Sequence, residues 1–449
     1  MGKRELHGQA AEPLRTGKSW EPMMMSWAAR FRLRQHAKAS LWIVPLIGLL
    51  LGALLAEWAA GVDGTDGLPG DWQYSATTAS NVLSSVVGAM IALLGFVVTI
   101  GVLVIQQATG TLSPRYMRLW YRDRLQKAVL ATFTGTFAYS FSLLRKIESD
   151  SVPDLGVTLS GVAVSVSLML LLIYLNRFTH NLRPVAIADL VGRLGAKVVL
   201  QGTERIRRSA AAEGASLPSG GPVTRIRCEP GGVLQAFDVA GLVAAAVRHD
   251  CVFVTAHQVG DFVPPGTTLV EVHGPTRPDP RRVAGLFALG TERTIEQDPA
   301  FALRILVDIA IRALSPAVND PTTAVQVLNH IDTFLHVVGQ ARLGARYVLA
   351  DSQGRPRLVV PGRGWEDYLQ LAVTEIREYG ATSPQVCRRL RAMLEGLLES
   401  QPPEHLPALR AELALLDDSV RRTFADPARR AAANTTDRQG LGGGRHPGP

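Results

Sequence analysis

The stretch Val82–Ile105, VLSSVVGAMIALLGFVVTIGVLVI, carries no charged side chain in 24 residues. Wound as an α-helix at about 1.5 Å per residue it spans roughly 36 Å, more than the ~30 Å hydrocarbon core of a bilayer. It predicts a membrane-spanning helix, and the rest of the chain is read around it. Three further apolar segments of near-spanning length can be drawn, at about 39–56, 128–144 and 155–175. The segment at 128–144 is the shortest.

Basic residues set the expected orientation. Arg30, Arg32, Arg34 and Lys38 precede the first span, Arg115, Arg118, Arg122, Arg124 and Lys127 follow the second, and Arg177 and Arg183 follow the fourth. Lysine and arginine collect on the cytoplasmic side. The loop after the first span holds Glu57, Asp63, Asp66 and Asp71, and the loop after the third holds Glu148, Asp150 and Asp154. These are placed outside, with Arg145 and Lys146 in dissent. The expectation is a multi-pass protein with both termini in the cytoplasm.

The spans are patterned. Gly48, Gly52 and Ala56 recur every four residues in the first, the small-xxx-small arrangement that lets helix backbones approach closely. In the second, Ser84, Gly88, Ala92, Gly95 and Thr99 form one stripe, with Gln106 near its continuation. In the third, Thr132, Thr136 and Ser140 form a hydroxyl stripe. Two readings compete for these residues: helix packing with interhelical or i−4 hydroxyl bonds, and the lining of a wet path in an oligomer. No ionisable residue lies deep in a span, which argues against a proton relay or a voltage sensor. After Gln106, Ser113 and Pro114 predict the start of a short interfacial helix reaching Lys127, with Tyr116, Trp120 and Tyr121 at headgroup level.

The formal charge of +8 comes mainly from arginine and is read as solvated surface, so no nucleic-acid partner is expected. Cys228, Cys251 and Cys387 are widely spaced and form neither a disulfide framework nor a zinc motif. Residues 1–38 are expected to be a disordered basic tail without a signal-peptide pattern, and residues 425–449 a disordered tail rich in Gly, Arg and Pro.

Between the tails, a connecting helix at 184–212 and a Gly/Ser/Pro linker lead to a β-rich module at 223–275. Within it, Gly260-Asp261 to Leu269 resembles the turn of biotinyl and lipoyl barrel-sandwich modules, but the block has no lysine to carry such a group. A helical module follows at 280–424, with a β-hairpin near 346–360. Asp298-Pro299 and Asp320-Pro321 each place a capping carboxylate before a first-turn proline. Ser315, Pro316, Asn319, Asp320, Pro321 and Thr322 read as a structural turn and cap. Arg304, Asp308 and Arg312 share a ribbon and are a candidate anion or partner face, or an ion-pair ladder.

Four segments carry a resemblance: Gln106 to Leu119 with its Ser-Pro-Arg, Gly135-Thr-Phe, Glu296-Gln-Asp-Pro-Ala-Phe, and Ser315-Pro-Ala-Val-Asn-Asp-Pro-Thr-Thr-Ala. The sequence from about Ser40 to Ser400 resembles the bacterial predicted-membrane-protein family called domain of unknown function 2254. The resemblance implies a membrane-spanning first half and a cytoplasmic remainder, and it supplies no catalytic residue; the expected location is the bacterial inner membrane.

The expected fold is therefore a membrane α-helical bundle of four transmembrane helices followed by a cytoplasmic α+β region. No nucleophile elbow, Walker loop, dinucleotide fingerprint or metal motif is present, so no catalytic, cofactor or metal residue is assigned. The first functional expectation is a homo-oligomeric channel or permeability element with a cytoplasmic regulatory domain. The second is a non-conducting membrane scaffold or sensor that binds a protein or an anionic ligand.

Overall fold

The computed structural model describes residues 26–62, 73–111, 115, 121–148, 151–181, 183–209, 223–341 and 343–441. Its first helix, α1 (Trp27–Ala39), lies where a disordered tail was expected. Ser26 caps it by accepting from the Ala29 amide at 3.2 Å. Trp27, Ala28 and Phe31 then seat on Ala236 and Ala288 of the soluble half, whose small side chains leave room for the rings. Three residues are too short a pattern to stand out among the arginines of this segment.

Among the described residues four helices make the membrane-associated N-terminal half: α2 (Ile43–Val62), α3 (Ala76–Thr111), α4 (Arg124–Leu144) and α5 (Asp154–Asn181). Among the described residues three are long and apolar enough to cross a membrane, at Ile43–Val62, Ala76–Gln106 and Asp154–Arg177. The helix at α4, expected as the third span, falls short of them in apolar character because it is the hub of the bundle, packed against α2, α3 and α5 together. Enclosed on most sides, it can carry threonine, serine and tyrosine without presenting them to lipid. The short interfacial helix expected from Pro114 falls mostly outside the described residues, and its last residues, Arg124–Lys127, open α4 behind the Asp123 cap.

Small residues fix the α2–α4 crossing. A Cβ added at Gly48 would stand 2.3 Å from the Ala131 carbonyl oxygen, and one at Gly52 would stand 2.1 Å from that of Gly135. The two backbones touch there. Thr134 adds a hydroxyl bond to the Pro45 carbonyl at 2.9 Å. On its other sides α4 bonds α5 through its hydroxyls, and Val129 and Phe133 pack with Val97, Ile100 and Val104 of α3.

The connecting helix α6 (Pro184–Ser209) is part of the C-terminal hydrophobic core, since Ile187, Ala188, Val191 and Val199 are buried in it. The strands and helices that follow are β1 (Val223–Arg227), β2 (Gly232–Phe237), α7 (Val239–Arg248), β3 (Val252–Thr255), β4 (Phe262–Val263), β5 (Thr268–His273), α8 (Pro280–Ala284) and β6 (Phe287–Gly290). Next come α9 (Pro299–Ala313), α10 (Pro321–Gly339), β7 (Arg346–Ala350) and β8 (Pro356–Pro361). The chain closes with α11 (Trp365–Gly380), α12 (Pro384–Ser400), α13 (Leu406–Thr423) and α14 (Pro427–Ala433).

The strands form a five-stranded sheet ordered β1-β5-β3-β8-β7 and a three-stranded sheet ordered β4-β2-β6. The hairpin at 346–360, expected in the helical module, is thus an edge of the larger sheet. Pairing with β7 leaves one side of β8 open, and β3 fills it in parallel with Phe253 opposite Leu358. The β-rich module accordingly runs from residue 223 to residue 361 with α9 and α10 inserted, beyond the boundary at 275 that the sequence suggested. Gly260 and Gly266 take the positive φ angles, +99° and +78°, that turn β4 and β5 into different sheets.

The C-terminal segment expected to be disordered contains α14, which Asp426 caps. Ala433 is fully buried, and the Arg388 Nε donates to the Ala432 carbonyl at 2.6 Å. Residues 1–25 and 442–449 of the two expected tails lie outside the described residues.

Candidate functional site

The two stripes of candidate residues in the membrane half face opposite ways. On α4, Thr136 bonds Ser167 at 3.2 Å, Ser140 bonds Ser160 at 2.7 Å, and the Tyr139 hydroxyl donates to the Gly156 carbonyl at 3.0 Å. All three side chains are buried between α4 and α5, and Thr132 is half-buried on the same helix. These hydroxyls are partnered inside one chain.

On α3 the ridge that meets the bundle is Leu83, Met90, Val97 and Val104, each 1 % exposed or less. Ser84, Gly88, Ala92, Gly95 and Thr99 lie on the other side of the helix and are exposed, as is Gln106. A Cβ placed at Gly88 or Gly95 would meet nothing within 4 Å. The Thr99 hydroxyl turns back to the Gly95 carbonyl at 2.9 Å, which leaves the stripe smooth. Among the described residues, the small side chains of Ser84, Gly88, Ala92, Gly95 and Thr99 thus form a long exposed surface.

Beneath the bundle, arginines of the membrane half reach carboxylates of the soluble half. Arg122 donates to Glu296 at 2.6 Å and also holds the Gln35 side chain of α1. Arg115 pairs with Asp308 of α9, and Arg304 pairs with the same Asp308 at 2.8 Å and with Glu375 of α11. Lys127 at the foot of α4 donates to the Lys38 carbonyl at 2.5 Å. Burial alone would raise the Glu296 carboxyl, but Arg122 and Gln35 hold it below its ordinary value. Of the ribbon Arg304, Asp308 and Arg312, Asp308 is therefore met by Arg115 of the chain's own N-terminal half, and Arg304 is tied to Asp308 and Glu375.

Sequence reasoning missed these pairs. Arg115 and Glu296 both sit in motifs that had been singled out, yet the partners are 193 and 174 residues apart and nothing local signals which cation meets which anion. At the Ser315 turn, the Ser315 hydroxyl donates to the Arg312 carbonyl at 2.7 Å, and Asn319 takes a positive φ of 48°. Asp320 accepts from the Thr323 amide at 3.0 Å and hydroxyl at 2.5 Å, while Pro316 and Thr322 are exposed and Pro321 opens α10. That arrangement ends one helix and starts the next without further assumptions.

Residues 38–396 match the family described as predicted membrane protein (DUF2254). The chain belongs to that family. Among DUF2254-like relatives, an uncharacterised protein of Mycobacterium bovis is 30 % identical over 428 residues, which covers 90 % of this chain and 80 % of the relative. An uncharacterised protein of Mycobacterium tuberculosis matches to the same extent. No solved structure matches the chain.

Among the described residues no group of three or more His, Cys, Asp or Glu side chains is placed to hold a metal ion. The chemistry available at the junction is electrostatic coupling, and it can be tested. Arg122→Glu is expected to lower stability by about 1.5–3 kcal/mol, the scale of a hydrogen bond to a charged group, and to speed amide exchange at residues 295–300. The exchanged pair Arg122→Glu with Glu296→Arg should recover part of that loss. Single variants that melt and exchange like the parent would remove this contact from the account.

Proposed function

We propose that the protein is a homo-oligomeric permeability element of the bacterial inner membrane, whose four helices α2–α5 span the bilayer and whose soluble half regulates it from the cytoplasm. The reading rests above all on the exposed stripe of Ser84, Gly88, Ala92, Gly95 and Thr99, which lies on the opposite side of α3 from the buried ridge. Helices associate in lipid where small residues let backbones come close, and hydroxyl-bearing small-residue faces also line wet paths. A central axis flanked by copies of α3 uses both properties.

Charge placement supports the orientation. Lys146, a basic residue at the end assigned to the outside, is paired with Glu57 at that same end, so it does not offset the acidic bias there. Arg122, Lys127 and Arg115 gather at the other end, with the soluble half.

Cysteine cross-linking in membranes tests the assembly. Gly88→Cys and Gly95→Cys are expected to form disulfide-linked dimers on mild oxidation, and Phe96→Cys, exposed on the flank of α3, far less. The native thiols give little background, because all three are buried and burial pushes Cys251 and Cys387 up to about 11. Liposomes carrying the parent protein should release a small trapped solute, and the cross-linked variants should release it at a changed rate. Cross-linking without release would favour the alternative, a non-conducting scaffold or sensor; neither would discard both the interface and the pore.

A further inference from the structure

Where α6 passes the sheets, the C-terminal half carries a half-open cavity of about 200 Å³. Its walls come from distant parts of the chain: residues 198–206 of α6, the end of β2, the turn at 258–259, the segment 296–299, the β7–β8 edge and the start of α11. Four lining residues carry acidic or basic side chains, namely Arg205, Glu296, Asp298 and Arg363. Their charges are unequally satisfied.

Both carboxylates are held by arginines that do not line the cavity. Glu296 is bonded to Arg122, as described above. Asp298 is 2 % exposed, caps α9 through the Phe301 amide, and accepts from the Arg293 Nε at 2.8 Å. Arg205 and Arg363 take part in no ion pair or hydrogen bond among the described residues, although Arg363 acts on the Asp298 carboxyl through space. The cavity therefore presents two cationic groups beyond what its own acids neutralise, one at an exposed position and one half-buried. Inside a partly desolvated wall such an excess favours an anion.

The rest of the wall is largely apolar. Phe237, Val259, Leu349 and Val360 contribute hydrocarbon, and Tyr368, 5 % exposed, contributes a ring. The space admits at least one ring or a short chain together with a charged head.

We propose that this cavity binds a small organic anion, a carboxylate or phosphate monoester on an aryl or short acyl body, with its charged group taken by Arg205 and Arg363 and its body laid against Phe237, Val259 and Tyr368. Because Glu296 is both a wall of the cavity and the partner of Arg122, an occupant touches the residue that ties the soluble half to the membrane half. The proposal concerns binding and holds whether or not the protein conducts.

Gly202 supplies a test independent of charge. It lines the cavity on α6, and a Cβ there meets nothing within 4 Å, so Gly202→Leu fills open space while improving the helix. Full-length protein in phosphatidylcholine nanodiscs would be titrated with benzoate, phenyl phosphate and the neutral isostere benzamide, following the melting temperature of the soluble half. We expect a saturable rise with benzoate or phenyl phosphate and none with benzamide. Arg205→Gln with Arg363→Gln should weaken that response at least tenfold, and Gly202→Leu should abolish it while melting no lower than the parent. The proposal is overturned if neither anion shifts the parent at millimolar concentration, if benzamide is equally effective, or if Gly202→Leu binds as the parent does. The readout involves neither flux nor cross-linking, so its failure is distinct from failure of the oligomeric reading.

Discussion

Gly52→Leu is expected to break the membrane bundle. The first atom of the new side chain would stand 2.1 Å from the Gly135 carbonyl oxygen, 2.8 Å from its carbonyl carbon and 3.0 Å from its Cα. All three are backbone atoms of the hub helix, so no rotamer change relieves the collision, and α2 must move away from α4 as a body. Overpacking of well-fitted cores costs typically about 1–3 kcal/mol, and a backbone-to-backbone contact belongs at or above the top of that range. The displacement would also pull Pro45 from the Thr134 hydroxyl and open the contact of Gly48 with Ala131. The measurement is the yield of monodisperse protein in detergent together with its melting temperature. Gly88→Leu is the matched control, the same substitution on a glycine of a neighbouring helix where a Cβ meets nothing within 4 Å among the described residues. It should fold like the parent and lose only assembly. If Gly52→Leu melts within a degree or two of the parent, the close α2–α4 crossing is wrong.

That pair of glycines also marks how far sequence reasoning reaches. Periodicity locates a small-residue face from four-residue spacing alone, and it located those of α2 and α3 equally well. It carries no information about what each face meets. The face of α2 is consumed against Ala131 and Gly135, whereas the face of α3 is left open, and the difference is made by where α4 sits. Local chemistry was the most legible: Asp298-Pro299 and Asp320-Pro321 open α9 and α10 at the positions their capping geometry predicts. What eluded the sequence depends on distant partners. α1 becomes a helix because Ala236 and Ala288 offer its aromatic residues a seat, and β8 joins the large sheet because β3 offers it an edge. The junction cavity gathers its walls from segments as far apart as residues 198 and 368, so no window of sequence contains it.

Phe334→Ala is expected to have the second large effect, and it bears on how the two halves are joined. Phe334 lies in α10, is 1 % exposed, and stacks at a tilt on Tyr368 with ring centroids 6.3 Å apart. Its Cε2 comes so near α6 that a Cβ at Gly195 would stand 2.6 Å from it and 2.6 Å from the Ala302 Cβ. The ring is thus the surface on which α6, the direct continuation of the membrane half, rests against the helical core. Removing a buried phenylalanine ring costs about 3–5 kcal/mol, with the larger values where the site cannot collapse. Four helices, α6, α9, α10 and α11, meet here, and collapse would need α6 to shift while its other buried residues, Ile187, Val191 and Val199, stay anchored. Limited proteolysis should therefore cut the soluble half of Phe334→Ala far sooner than the parent's, while α2–α5 remain protected. Geometry also fixes the sign of a coupling. Gly195→Ala alone should destabilise by about 1–3 kcal/mol through collision, yet in the background of Phe334→Leu the added methyl fills part of the vacated space and should cost less than in the parent. Additive losses in the double variant would mean that the two residues do not touch, and that α6 is held to the core by other contacts.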